Sequence, residues 1–308
     1  MSAVAPVPRR DVGGLAERAD ALRRLHTGPR PLVLPNAWDV ASARLVVTTG
    51  FPVVATSSGA VAATLGYEDN DSMPVEEAFG VVARIARSVP VPVTADVEAG
   101  YGLSPEELVE RLLDAGAVGC NLEDTDHHHT GGLVDAGEHA ERLRAVRHAA
   151  SEAGVDLVLN ARIDVLRLEG DRRELFEEAV RRARRYRQAG ADCVFPIRLA
   201  DDELIREFVR RVEGPVNVVA AGAPSLARLA ELGVARISFA GFLMNQLYAA
   251  RARARRLSLP AARQARLGLQ LPDRLHEARV PIRRRRHPLG RPRRAWARAS
   301  ARGRSIDR

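Results

Sequence analysis

Short runs rich in Val, Ile and Leu alternate with longer amphipathic segments along most of this chain, and that alternation confines the fold more than any other feature. A strand followed by a helix, repeated, is the pattern of βα units arranged around a parallel sheet. The strand-like runs lie at Pro31–Pro35, Val53–Ser57, Val91–Val97, Val118–Glu123, Asp156–Arg162, Cys193–Ile197, Val216–Ala220 and Arg236–Ala240. Helical patterns fill the intervals, among them Pro74–Ser88, Ser104–Ala115, Glu138–Ala153, Arg172–Ala189, Asp201–Val212 and Pro224–Leu232. Their ends carry the expected punctuation. Ser104-Pro105-Glu106-Glu107 offers an N-cap, a Pro at the first helical position and acids in the first turn. Ala189-Gly190 places a Gly just past a helix end.

Eight such units in unbroken succession predict closure into a single (β/α)₈ TIM barrel, an α/β fold. The structural alternative is an open, doubly wound sheet. Asp11–Thr27 reads as an extra helix ahead of the barrel, and a helix over Gly241–Leu257 ends it. Residues 1–257 are therefore expected to form the catalytic domain. The 46% apolar content supplies enough side chains for a core of that size.

Charge divides the chain at the same point. From Arg251 onward there are 19 Arg against three acids, whereas the first 250 residues hold 28 Arg and 36 acids. The segment 258–308 has Arg283 to Arg286 in a row, scattered Pro and few large apolar residues, so it cannot bury enough surface to offset its ordering entropy. It is expected to be a disordered Arg/Pro-rich tail. It reads first as a solvated appendage; binding to nucleic acid or another polyanion is the alternative and would come from that tail alone, with Trp296 its one aromatic.

Every basic residue is Arg, which removes Lys Schiff-base chemistry from consideration. The two cysteines, Cys120 and Cys193, sit in apolar runs and read as buried hydrophobes in a reducing compartment. No apolar run approaches a membrane span, and Met1–Pro8 lacks the order of a secretory signal, so no membrane partner and a cytoplasmic location are expected.

In barrels of this type the active site lies at the C-terminal ends of the strands. The residues that fall there are polar: Thr56, Ser57, Ser58 and Gly59 after the second run, Asp96 and Glu98 after the third, and Glu123, Asp124 and Asp126 after the fourth. Asn160, Arg162 and Asp164 follow on the fifth, and Asn217 on the seventh. Any one acid reads equally well as a helix cap or a strut between strands. Several converging on one mouth point instead to a hard divalent cation with oxygen ligands, Mg²⁺ with Mn²⁺ as its substitute. Such a cation would chelate a small 2-oxo acid and stabilise the enolate formed when the bond at C3 breaks, with Arg162 pairing with a substrate carboxylate. His127, His128 and His129 are adjacent and so cannot face one metal; with Gly131 and Gly132 after them they read as a loop over the mouth, in which one histidine moves a proton. Gly100-Tyr101-Gly102 is no dinucleotide fingerprint and reads as a sharp backbone turn.

Four segments then carry a resemblance: Thr56-Ser57-Ser58-Gly59-Ala60, Leu65-Gly66-Tyr67-Glu68-Asp69, Ala95-Asp96-Val97-Glu98-Ala99-Gly100-Tyr101-Gly102 and Asn121-Leu122-Glu123-Asp124. In order and spacing the chain resembles the isocitrate lyase/phosphoenolpyruvate mutase superfamily from about Leu32 to Leu247. The resemblance implies a (β/α)₈ barrel whose last helix is often exchanged between subunits of a homodimer or homotetramer. It implies Mg²⁺ and substrates that are 2-oxo acids or 2-hydroxy diacids. Asp96 matches the direct metal ligand, and Asp69, Glu98 and Glu123 match acids that hold the metal's waters. Ser58, Gly59 and Ala60 match the segment that binds the substrate's carboxylate and oxo group. Arg162 matches the substrate arginine and Asn217 an asparagine of the lyase branch.

One loop departs from the pattern. Lyases of this superfamily carry Lys-Arg-Cys-Gly-His after the fourth strand, and the position of the Cys is Gly131 here. Mutases carry a Lys and an Asn where His129 and Gly131 stand. The expectation is a Mg²⁺-dependent carbon–carbon lyase or decarboxylase, with Arg162, Glu123 and His129 as its catalytic residues. The alternatives are phosphorus–carbon chemistry, as a mutase or phosphonopyruvate hydrolase, and a non-catalytic barrel with a polyanion-binding tail.

Overall fold

The computed structural model of the chain describes residues 11–128, 131–221 and 224–257, and within them the parallel (β/α)₈ barrel read from the sequence is present. Its first strand is broken in two, β1 (Leu32–Leu34) and β2 (Asn36–Ala37), on either side of Pro35, which has no N–H to give to a ladder. The ring continues through β3 (Val54–Thr56), β4 (Val93–Asp96), β5 (Gly119–Glu123), β6 (Val158–Ile163), β7 (Cys193–Pro196), β8 (Asn217–Val219) and β9 (Arg236–Ser238). All pairings are parallel, as helical crossovers demand.

The ladder does not run unbroken round the ring. One sheet has the order β2-β3-β4-β5-β6-β7 and the other β1-β9-β8. They meet at a single parallel bridge, Val194–Val216, and at the continuous chain through Pro35. At the second joint a side chain stands in for backbone: Asn36 donates from Nδ2 to the Thr56 carbonyl at 2.7 Å and accepts from the Phe239 N–H at 2.7 Å.

Around the strands pack α2 (Val40–Thr48), α3 (Ser58–Leu65), α4 (Val75–Ser88), α5 (Pro105–Asp114), α6 (Ala136–Glu152), α7 (Arg172–Gln188), α8 (Asp202–Val212) and α9 (Leu226–Glu231), with α1 (Val12–Leu25) before them and α10 (Phe242–Leu257) after. The cap read at Ser104 is a full capping box with Glu107, and Pro105 opens α5. Helix α1 covers the N-terminal end of the barrel. Its Leu22 sits so close to Gly119 that a Cβ there would lie 2.9 Å from Leu22 Cδ2. Arg23 ties it down by donating to the carbonyls of Asp156 and Leu157 and to Asp192.

Cys120 and Cys193 are free thiols, both fully buried. No helix among the described residues is long and apolar enough to cross a membrane. The Arg/Pro-rich segment 258–308 lies outside the described residues.

Candidate active site

The C-terminal rim of β4 and β5 gathers the acids. Asp96, the last residue of β4, accepts at Oδ2 from the Ser58 N–H (3.1 Å) and hydroxyl (3.0 Å), and at Oδ1 from Asn121 Nδ2 (3.2 Å). Ser58 opens α3, so the N-terminal end of a helix faces the carboxylate. Asp69 reaches in from the turn after α3 and lies over Gly59; a Cβ on Gly59 would sit 2.8 Å from Asp69 Oδ2. Loss of solvent and then the charge of Asp96 raise the Asp69 carboxyl above its ordinary range.

Glu98 is 2% exposed and closes a strained knot. It accepts from the Asp71 N–H at 2.6 Å and from the Tyr101 hydroxyl at 3.1 Å. Asp71 in turn accepts from the N–H groups of Ala99 (3.2 Å) and Tyr101 (3.1 Å). Asp71, Glu98 and Tyr101 all hold positive φ, at 55°, 50° and 53°, a conformation that costs non-glycine residues energy and concentrates at functional sites. Gly100 and Gly102 supply the rest of the sharp turn, at φ 93° and 71°. Burial pushes Glu98 up to about 8, with Asp69, Asp71 and Asp96 adding repulsion.

Glu123, 3% exposed at the end of β5, stands between a histidine and an arginine. Its Oε1 lies 2.6 Å from His127 Nε2, and its Oε2 is ion-paired with Arg162. The opposite edge of Arg162 is bound to Asp164 from Nε and Nη2. Asp164 also accepts from Thr125 (2.7 Å) and Arg167 (2.7 Å), and its N–H donates to Asp124 (2.8 Å). Asp124 is anchored by Arg182 (2.9 Å) and Tyr186 (2.7 Å) on α7. Burial works against ionisation of Asp164, yet Arg162, Arg167 and Thr125 together hold its carboxyl below the ordinary value.

Of the histidines, His127 is the one brought onto Glu123, and the hydrogen bond to Glu123 raises its pKa. His128 lies 3.2 Å from Asp71. His129, the residue expected to move a proton, lies outside the described residues. A cavity of about 410 Å³ opens beside Glu123 and His127, lined also by Gly102, Leu133, His139 and Arg142.

Most of the residues singled out in the sequence thus fall at one rim in three adjoining groups, Ser58, Gly59, Asp69 and Asp96 in one, Glu98 in the second and Glu123 with Arg162 in the third, and Ala60 follows in the first turn of α3. Two placements differ from expectation. Arg162 does not offer an open fork, because Asp164 and Glu123 already engage it. Asn217 opens β8 below the strand tips, fully buried, and donates to Ser238 Oγ at 3.0 Å. Asp71 and the pairing of His127 were not foreseen.

Among the described residues no three Asp, Glu, His or Cys side chains are close enough to hold a metal ion directly. The donor set, carboxylate oxygens of Asp69, Asp96, Glu98 and Glu123, is the kind that takes a hard cation through its waters, and Asp69 and Glu98 each feel the charge of neighbouring acids.

Residues 22–258 match the phosphoenolpyruvate phosphomutase family. An uncharacterised protein of Mycobacterium tuberculosis is 32% identical over 76% of this chain and 87% of its own length. The 2-methylisocitrate lyase of Escherichia coli is 28% identical over 71% of this chain and 76% of its own. A crystal structure from Burkholderia cenocepacia, of a protein provisionally described as a phosphonomutase, superposes with a TM-score of 0.73 and 40% identity, covering 80% of this chain and all of that one.

Proposed function

The chain belongs to the isocitrate lyase/phosphoenolpyruvate mutase superfamily, and on that premise we propose that it is a Mg²⁺-dependent enzyme that cleaves a carbon–carbon bond in, or decarboxylates, a small 2-oxo or 2-hydroxy carboxylic acid. The observation that carries this reading is the meeting of Asp69, Asp96, Glu98 and Glu123 with Arg162 at one rim. When bound there, the cation supplies positive charge for an enolate-like oxygen. Asp96 would hold it directly, and Asp69, Glu98 and Glu123 through water.

The other parts of the site have roles that follow from their positions. Ser58, Gly59 and Ala60 form the first turn of α3, whose positive end favours a carboxylate or oxo group, the Ser58 N–H being already given to Asp96 and the Ala60 N–H to Ser57 Oγ. Arg162 is held from behind by Asp164, so a substrate carboxylate reaches its Nη1 by displacing Glu123. His127, on Glu123 and lining the adjacent cavity, is placed to carry the proton for which superfamily lyases use the loop Cys.

Phosphorus–carbon chemistry is the second reading, favoured by the match to the phosphomutase family. One experiment separates the two: incubation with Mg²⁺ and, in turn, oxaloacetate, 2-methylisocitrate and phosphonopyruvate, following pyruvate, succinate, phosphoenolpyruvate and phosphate against a Mg²⁺-only blank. Pyruvate from a carbon substrate supports the lyase. Turnover of phosphonopyruvate alone supports the second reading, and turnover of none contradicts both.

A further inference from the structure

Arg236, on β9, is the largest fully buried side chain of the barrel, 1% exposed, and among the described residues no carboxylate lies within ion-pair distance of it. A guanidinium buried in a barrel with no carboxylate beside it is costly to desolvate, so its retention calls for a compensating role. Its contacts show where it acts. Nη2 donates to Asn121 Oδ1 at 3.0 Å, and Nη1 faces His26 Nε2 at 3.4 Å. His26 Nδ1 lies 2.8 Å from the Leu22 carbonyl and so carries the ring proton, leaving Nε2 as an acceptor for Arg236.

Asn121 is the junction. Its Oδ1 receives both Arg236 and Asn160 Nδ2, the latter at 2.8 Å. Two donors on that oxygen dictate the orientation of the amide and turn Nδ2 toward Asp96 Oδ1. Reversal of the amide would set its NH₂ against the two donors and its oxygen against the Asp96 carboxylate.

We propose that Arg236 is a positioning residue that acts from beneath the barrel mouth, through Asn121, to hold Asp96 in the orientation that receives the divalent cation. The inference rests on the assignment of Asp96 as metal ligand made above. It gives β9 a part in the site that none of the rim residues reveals.

The test reads metal binding, not turnover. Mn²⁺ is titrated into the metal-free full-length protein and free Mn²⁺ followed by electron paramagnetic resonance, for wild type, Arg236→Met, Asn121→Leu and the double variant. Loss of a group that orients a metal ligand weakens binding by about tenfold or more, and that rise in Kd is expected of each single variant. The double variant is expected to be no weaker than the weaker single, because both act on one contact. Should Arg236→Met fail to fold, His26→Leu/Arg236→Met replaces it, since exchanging a whole buried polar pair for apolar groups is better tolerated than stranding one partner. Wild-type affinity in the Arg236 variants, or effects of Arg236 and Asn121 that add, overturns the proposal. A role in packing alone would lower the unfolding temperature and leave the Mn²⁺ constant where it was. Absence of Mn²⁺ binding by the wild type would instead strike at the assignment of Asp96.

Discussion

Arg162 lays its Nε–Nη2 edge along the two carboxylate oxygens of Asp164, at 2.7 and 2.8 Å, and turns Nη1 onto Glu123. The guanidinium is thus clamped at its back by the carboxylate of a residue whose main-chain N–H is fastened to Asp124, and through it to Arg182 and Tyr186 of α7. A substrate anion would exchange with Glu123 at the front while the rear clamp keeps the plane of the guanidinium constant. A bidentate pair is well suited to that duty, because its geometry is directional as well as charged.

Asp164→Asn removes the charge of that clamp and one of its acceptors. Breaking a buried pair in this way costs about 3–5 kcal/mol, and kcat/KM should fall by about two orders of magnitude as Arg162 loses its orientation. Urea unfolding and steady-state kinetics check the two parts separately. Unchanged values in both would show that the pair has no such role.

Gly59→Ala separates stability from function. Gly59 lies within α3, where Ala is favoured over Gly by about 1 kcal/mol. The new Cβ would meet first the Asp69 carboxylate, with Oδ2 at 2.8 Å and Cγ at 3.2 Å, the movable end of its side chain. The variant should unfold at the same temperature or slightly higher, while activity falls at least tenfold because Asp69 is displaced. Full activity would mean that Asp69 can stand elsewhere without consequence.

Acid stability has a separate origin. Burial, and then Arg142 and Arg182, push His139 down to about 3; burial, and then Arg236, push His26 down to about 4. In the unfolded chain each would take up a proton below about pH 6.5. Between pH 6.5 and about 4 the unfolded state therefore binds more protons, and stability drops by up to about 1.4 kcal/mol per pH unit for each histidine as pH falls. His139→Gln should remove one such contribution to the slope. Denaturant midpoints at several pH values give the comparison, and identical slopes for variant and wild type would refute the assignment.

Asp96→Ala should abolish both Mn²⁺ binding and Mg²⁺-dependent turnover. The metal-free variant should remain folded, since among the described residues the Asp96 carboxylate is held by Ser58 and Asn121 alone. Turnover that survives the substitution would contradict the metal reading outright.

The barrel was legible because its evidence is periodic: each strand-like run maps onto the ring, its ends shifted by a residue or two, and the cap at Ser104 formed as read. What escaped depended on information that periodicity lacks. The run Pro31–Pro35 stopped at a proline beyond which a second short strand begins, where the Asn36 side chain joins Thr56 to Phe239. Asp71 was missed because its carboxylate serves backbone N–H groups brought to it by positive φ angles, which no spacing announces. Arg236 is indistinguishable from a strand-edge charge until register shows which way the side chain faces, since a slip of one residue reverses it. Nothing in three adjacent histidines distinguishes His127 from its neighbours, because a loop has no fixed period along which to place them.

Where the strands of this ring meet through backbone, almost any residue can occupy the joint, for the main chain makes the same bonds whatever it carries. At Pro35 the link between Thr56 and Phe239 is made by an amide side chain instead. That one position makes the circumference vulnerable to chemistry as well as to mutation. Hydrolysis of the Asn36 amide to a carboxylate would turn its donor into a second acceptor facing the Thr56 carbonyl, and the side-chain tie across that joint would be lost while the covalent chain and the Val194–Val216 bridge still held the ring.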